Sequence, residues 1–204
     1  MVNDAELTLA HNAALAEPIA DSLDAQTLLS RGDRRGAIAA LMDAHGEAVF
    51  GLCVRVLGDR ALAEDVLQQV FLEAHRDIDR YQGRSSLSTW LKGIASHRCK
   101  DAIKSRKRRE QRLDSDDRAA LDAVDPSAAP HERLDHARVV VALEDCLTKL
   151  SDDVRMSVLL RFQSDMTYDE MAGVLDANPD ALHARVSRAL PVLKRCLEAK
   201  GWNR

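Results

Sequence analysis

Apolar positions recur every three to four residues through most of the chain. Ile38, Leu41, Met42, Val49, Leu52, Cys53, Val56 and Leu57 fall near i, i+3, i+4, i+7 spacing, which predicts one amphipathic helix. Gly58 supplies its stop and Asp59 a cap for a second helix over Arg60–Asp77. In that helix Leu62, Val66, Val70, Phe71, Ala74 and Ile78 form the buried stripe, with Glu64, Asp65, Gln68, Gln69 and Glu73 off it. A polar loop, Tyr81 to Ser88, follows. Ser88 is the expected cap of a third helix over 90–109, with Leu91, Ile94, Ala95, Ala102 and Ile103 inward and a dense basic face outward.

The pattern resumes at 139–150. Ser151-Asp152-Asp153 reads as a cap with an acidic first turn before a helix over 154–163. Thr167 with Glu170 three residues later is a capping box opening a short helix through Leu175. Asp176-Ala177-Asn178 makes a turn, Asn178 caps, and Pro179 suits the first position of a helix over Pro179–Glu198. Pro191 inside it predicts a kink or an end. Leu182, Val186 and Leu190 form its buried face. A short helix, a tight turn and a longer basic helix make a helix-turn-helix, whose second helix enters the major groove.

Composition narrows the class. The chain has 204 residues, 46% hydrophobic and only 3% aromatic, which favours helices and argues against a β-sandwich or barrel. No apolar run approaches the length of a membrane span, and no secretory signal pattern is recognised, so the expected location is cytoplasmic. Four cysteines without a C-x-x-C pair read as reduced thiols. For Cys99, a small buried thiol is preferred over a redox sensor activated by its basic helix.

The net charge of −4 hides a block pattern. Between Lys92 and Arg112 nine bases face two acids; between Leu113 and His136 seven acids face two bases. The acidic stretch holds Pro126 and Pro130 and reads as a flexible linker. The fold expectation is therefore all-α: an acidic N-terminal extension (1–24), a helical module (25–112), a linker (113–136) and a second helical module (137–204). Two basic modules on an acidic tether suit one polyanion. Tyr81 and Trp90 flank the polar loop beside the basic helix, an arrangement suited to single-stranded DNA, where bases stack on rings and cations follow phosphates.

The run Gly58-Asp59-Arg60-Ala61-Leu62-Ala63-Glu64-Asp65-Val66-Leu67-Gln68-Gln69-Val70-Phe71-Leu72, then Tyr81-x-Gly83-Arg84-Ser85-Ser86-x-x-Thr89-Trp90-Leu91-x-x-Ile94-Ala95 and an Arg-rich tail, resembles the second conserved region of bacterial RNA polymerase sigma factors. The match is best to the compact extracytoplasmic-function group. Leu150-Ser151-Asp152-Asp153-Val154-Arg155, Leu159-Leu160-Arg161-Phe162, Thr167-Tyr168-Asp169-Glu170-Met171-Ala172-x-Val174-Leu175 and Val186-Ser187-Arg188-Ala189-Leu190 resemble the fourth region, in the family's order.

The resemblance implies a subunit that binds core RNA polymerase and directs promoter-specific initiation, without catalysis, cofactor or metal. It implies that Glu64, Asp65, Gln68 and Gln69 meet the β′ clamp helices, and that the β flap is a further polymerase contact. Tyr81, Arg84, Ser85, Ser86, Thr89, Trp90, His97, Arg98, Lys100 and Lys104 would hold the −10 element, a flipped base lying in the loop. Thr167, Asp180, Ala181, His183, Ala184, Arg185, Ser187 and Arg188 would meet the −35 element; spacing does not decide whether Arg185 and Arg188 touch bases or phosphates. Two departures stand out. Gln69 replaces a usual glutamate, and Asp180-Ala181-Leu182 replaces a frequent glycine-threonine-valine run. An anti-sigma factor is an expected partner. The acidic extension or linker is expected to restrain DNA binding by covering the basic faces.

Two other readings compete. A helix-turn-helix repressor or activator working without polymerase explains only the second module. A zinc protease fails because Asp135 stands where His131-Glu132-Arg133-Leu134-Asp135-His136 needs its second histidine. The chain has no P-loop, so strand opening draws on base capture and polymerase contacts.

Overall fold

The computed structural model describes residues 19–112 and 131–202, with side chains over 25–112 and 138–202. The described residues are helical and contain no strand. The first module comprises α1 (Ile19–Ser30), α2 (Arg34–Leu57), α3 (Arg60–Asp77) and α4 (Leu87–Arg112). A 3-10 turn, Ile78–Arg80, joins α3 to the polar loop. The second module comprises α5 (His131–Thr148), α6 (Asp152–Phe162), α7 (Tyr168–Leu175) and α8 (Pro179–Glu198). Most of the acidic extension, the linker prolines and the His131–His136 side chains lie outside the described residues.

α2 is the spine of the first module, packed against α1, α3 and α4. It is long and apolar enough to cross a membrane, yet Leu41, Val49, Leu52, Cys53, Val56 and Leu57 are core residues here. They meet Val66, Val70 and Phe71 of α3 and Leu87, Leu91, Ala95 and Cys99 of α4 in one cluster. Met42, expected in the stripe, is 48% exposed; one residue beyond buried Leu41, it is turned about 100° away from the core. Gly58 ends α2 in the left-handed conformation, and Asp59 Oδ1 accepts from Leu62 N at 3.0 Å to start α3.

α4 starts earlier than expected. Ser86, not Ser88, is the cap: its Oγ accepts from Thr89 N at 3.0 Å. Ser88 sits inside the first turn, its hydroxyl buried and without a hydrogen bond. α5 likewise begins at His131 rather than Val139.

In the second module α8 packs against α5, α6 and α7. Leu182, Val186, Ala189 and Leu193 are its buried face; Leu190, expected there, is only half-buried. Pro191 does not end the helix, which continues to Glu198. The reading of all four cysteines as reduced thiols is corrected: Cys146 and Cys196 form a disulfide joining α5 to α8. The pairing spans 50 residues and follows from the antiparallel packing of these helices, which no local spacing announces. Cys53 and Cys99 are free and fully buried. Hydrogen bonding to Cys53 and burial push the Cys99 thiol well above its usual range, so it is an unreactive core residue.

The modules touch. α2 packs on α6 and α4 on α7. A methyl placed on Gly93 of α4 would stand 3.4 Å from Val174 Cγ2, at van der Waals distance, so α4 and α7 approach closely here. Arg55 pairs with Glu144 at 3.5 Å, Lys107 with Asp152 at 2.8 Å, and Lys100 Nζ donates to Leu175 O at 2.9 Å. The Gln163 amide oxygen, turned toward its donors, accepts from Arg55 at 3.0 Å.

Candidate nucleic-acid interface

The loop between the 3-10 turn and α4 is organised around two rings. Tyr81 and Trp90 lie 5.7 Å apart at a tilt of 56°. The Tyr81 hydroxyl donates to Ser85 O, closing the loop on itself. Ser86 Oγ bonds Thr89 Oγ1 at 2.9 Å and caps α4. Arg84 and Ser86 stand exposed; Ser85, Thr89 and Trp90 are half-buried. Trp90 packs against the core cluster with one side and leaves the other to solvent. The structure thus brings Tyr81, Arg84, Ser85, Ser86, Thr89 and Trp90 together in one loop and the helix turn that follows it.

The cations beyond it divide. His97 and Lys104 are exposed. Arg98 is not a free cation: Glu73 of α3 grips it, with Asp101 at 3.6 Å. The Glu73 hydrogen bond raises the Arg98 pKa despite some burial. Arg98 therefore ties α3 to α4, and its charge is largely spent inside the protein. Lys100 points at the second module.

On α3, Glu64, Asp65, Gln68 and Gln69 are all exposed, as expected, with Glu64 paired to Arg60 at 3.3 Å. Sequence reasoning missed Leu72, 72% exposed. It lies seven residues after Asp65 and three after Gln69, on the same helical face, so period 3.6 would have found it. An exposed leucine amid acidic and amide side chains marks a surface that can bury apolar area against a partner.

The helix-turn-helix is built as expected. Thr167 and Glu170 make the reciprocal capping box of α7. Asp176 ends α7 in the left-handed region, and Asn178 Oδ1 accepts from Asp180 N at 2.8 Å to start α8. Thr167, Asp180, Ala181, His183, Ser187 and Arg188 are exposed; Ala184 and Arg185 are half-buried. The two arginines are already engaged. Arg185 Nη1 donates to Ser157 Oγ of α6 at 3.2 Å, and Arg188 Nε donates back to Ala184 O at 3.0 Å. His183 is set differently. The ring of Tyr168 meets it edge-on at 5.1 Å, and the Arg161 guanidinium lies 5.6 Å from the Tyr168 ring. Its imidazole is buttressed on the exposed side of α8.

Asp145, Cys146 and Cys196 lie close enough together to be considered as metal ligands. The two sulfurs are bonded to each other, and Lys149 and Lys200 each hold Asp145 at 2.9 Å. Lys200 and then Lys149 keep the Asp145 carboxyl below its usual pKa. This donor set is satisfied without an ion.

A ring-flanked polar loop beside a basic helix, and a helix-turn-helix on a second small helical module, define the class as a DNA-binding protein. Residues 41–109 match the family model for Sigma-70 region 2 and residues 141–190 that for Sigma-70, region 4. The chain is 32% identical over 163 residues to the ECF RNA polymerase sigma factor SigK of Mycobacterium sp. (strain KMS), covering 79% of this chain and 83% of the relative. It is 26% identical to the RNA polymerase sigma-H factor of Pseudomonas aeruginosa, covering 83% and 90%. Among solved structures, CnrH in complex with the cytosolic domain of CnrY matches with a TM-score of 0.59 at 25% identity, covering 88% and 98%. The sigma factor RpoE in complex with the anti-sigma factor NepR from Bartonella quintana matches in fold, with a TM-score of 0.63 at 21% identity, covering 74% and 91%. The chain belongs to the extracytoplasmic-function group of the sigma-70 family of RNA polymerase sigma factors. It serves core RNA polymerase by directing promoter-specific initiation of transcription. The repressor reading leaves the region 2 match at residues 41–109 unaccounted for.

Proposed function

We propose that the two modules divide promoter recognition as follows. The α3 face of Glu64, Asp65, Gln68 and Gln69, centred on exposed Leu72, seats on the β′ clamp helices. Leu72 adds apolar burial to a face from which Gln69 has removed one charge. The loop from Tyr81 to Trp90 takes a flipped base of the −10 strand, with Arg84, His97, Lys100 and Lys104 along its phosphates. Arg98 acts through Glu73 by holding α3 against α4. The exposed side of α8 enters the −35 groove, with Asp180, Ala181, His183, Ala184 and Ser187 toward base edges and Arg185, Arg188 and Thr167 toward the backbone.

The observation that carries this reading is the Tyr81–Trp90 ring pair beside a hydrogen-bonded polar loop and a basic helix. Stacking is worth roughly 1–3 kcal/mol per base, comparable to the few kcal/mol needed to unstack one. The activity is binding alone, without catalysis, and the site of action is the cytoplasm. The second module also meets the β flap, and an anti-sigma factor holds the chain in reserve; the RpoE–NepR complex supports that partner class. Run-off transcription with core polymerase across a promoter library tests the assignment. Specific start sites that vanish with Trp90→Ala support it; specific starts that survive Trp90→Ala refute the role given to the loop.

A further inference from the structure

A second group of cations stands at the Tyr81 end of the loop. The turn between α1 and α2 reads Arg31-Gly32-Asp33-Arg34-Arg35, and its three arginines are all exposed. Arg34 pairs with Asp79 of the 3-10 turn at 2.5 Å, which fixes the turn beside the segment leading into Tyr81. Asp79 stands two positions before Tyr81, a span of at most about 7 Å. Arg80, between them, points outward with its side chain 83% exposed.

The turn is built rather than loose. Gly32 takes a positive φ of 80°. Asp33 Oδ1 accepts from Gly36 N at 2.9 Å and starts α2. A Cβ on Gly36 would collide with the Asp33 carboxylate, so glycine there is what lets the cap close. The acid of the turn is thereby spent on the backbone. Arg34 and Arg35 occupy the first turn of α2, which holds no acid and where the helix dipole disfavours cations. Arg31 and Arg35 make no ion pair among the described residues. A placement that opposes the helix and makes no contact within the fold points to an anion from outside the chain. All four cations are arginines, whose planar forks match phosphate.

A nucleotide held in the loop carries a phosphate on each of its two sides. His97, Lys100 and Lys104 follow Trp90 along α4 and suit one of them. Resting on the reading that this loop captures a base of the −10 strand, we propose that Arg31, Arg34, Arg35 and Arg80 form a second phosphate-binding surface, which takes the backbone of the single strand at the Tyr81 end of the loop. It carries no base preference, since arginines on phosphates position a strand without reading it. Arg34 exchanges Asp79 for phosphate at little cost, because both side chains are exposed and such pairs are weak.

The test uses the full chain and a fluorescent single-stranded oligo(dT) of about twelve nucleotides, titrated over a range of salt. Arg31→Ala with Arg35→Ala should weaken binding roughly two- to tenfold. The slope of log affinity against log salt should fall by about 1.4, the counterions released by two single-strand phosphates. Thermal unfolding should not move, since neither side chain is paired and Arg34 keeps Asp79. Arg31→Lys with Arg35→Lys should retain the slope. Lys194→Ala with Arg195→Ala removes the same charge from the far end of α8 and should leave affinity and slope near wild type. An arginine variant no weaker than this control overturns the proposal. So does a variant that binds oligo(dT) as wild type does but core polymerase less well, which makes the patch a polymerase contact. Trp90→Ala separates this surface from the loop. If Trp90→Ala weakens binding and the arginine variant does not, only this surface is lost. If Trp90→Ala changes nothing, the loop reading falls, and the strand path drawn from it falls as well.

Discussion

The two modules solve the same problem with different means. Each must hold its proposed DNA-binding feature still on a handful of helices. The first does so with an apolar core: the long α2 contributes Leu41, Val49, Leu52, Val56 and Leu57, and even its two thiols are packing groups. The second has shorter helices, α6 of 11 residues and α7 of 8, and buries an arginine beside its core. It adds a covalent link, Cys146–Cys196, between its first and last helices. Small domains bury too little surface to be stable by packing alone, and a cross-link restricts their unfolded chain. The stability of the first module is thus spread over side chains alone, whereas the second adds one covalent bond to a buried set that includes Leu160, Met166, Met171 and Leu182.

The largest expected effect tests that contrast. Cys146→Ser with Cys196→Ser should destabilise the second module by about 2–4 kcal/mol and leave the first nearly untouched. Trp90 lies in the first module and Trp202 follows α8 in the second, so variants retaining one tryptophan report the modules separately. Equal loss of both transitions would mean that the modules unfold as one body and that the contrast is false.

A second effect is nearly as large but concerns binding. Trp90→Ala should lower promoter opening by roughly 1–3 kcal/mol, about five- to 150-fold in open-complex formation. Because Trp90 also packs on the core, Trp90→Phe should recover much of both losses. Its Tyr81 partner gives a cleaner comparison. Tyr81→Phe keeps the ring and removes the hydrogen bond to Ser85, so a strong loss there would assign the work to loop closure rather than stacking.

A third, smaller effect lies on α8. His183→Ala should change −35 preference at one position by about 1–2 kcal/mol, the scale of one base contact. Tyr168→Phe, which keeps the buttressing ring, should not change it. If Arg185→Ala rather than His183→Ala alters base preference, the engaged arginine leaves Ser157 on binding and the reading of α8 needs revision.

These contrasts also separate what the chain discloses from what it conceals. Helix identity was legible because periodicity and caps are local: Asp59, Gly58, the Thr167–Glu170 box and Asn178-Pro179 all act where expected. Both family regions were legible for the same reason. Ser88 was misread because Ser86 lies equally well placed, and only packing decides which hydroxyl turns inward. Arg98 and Lys100 read as free cations, since their partners Glu73 and Leu175 lie 25 and 75 residues away. The disulfide and the contacts between the modules share that cause. Long-range pairing depends on how helices stack, and one sequence does not state it.

The smallest effect is the sharpest test of the comparison, because it applies the same perturbation to both modules. Asp59 starts α3 by accepting from Leu62 N, and Asn178 starts α8 by accepting from Asp180 N. Replacing either with alanine removes one capping bond and should cost about 1 kcal/mol of stability. The consequences should nonetheless differ. α3 is held by Val66, Val70, Phe71 and Ala74 in the larger core, so Asp59→Ala should fray one turn and leave the exposed Gln68, Gln69 and Leu72 in place. The first turn of α8 has only Leu182 buried before Val186, and it carries the exposed Asp180 and His183 proposed to meet the −35 element. Asn178→Ala should therefore weaken −35 binding beyond its cost in stability, and amide exchange should quicken in the first turn of α8 more than in that of α3. Equal exchange and equal loss of function would show that the disulfide fixes α8 along its whole length, and that the second module is as rigid at its working end as the first.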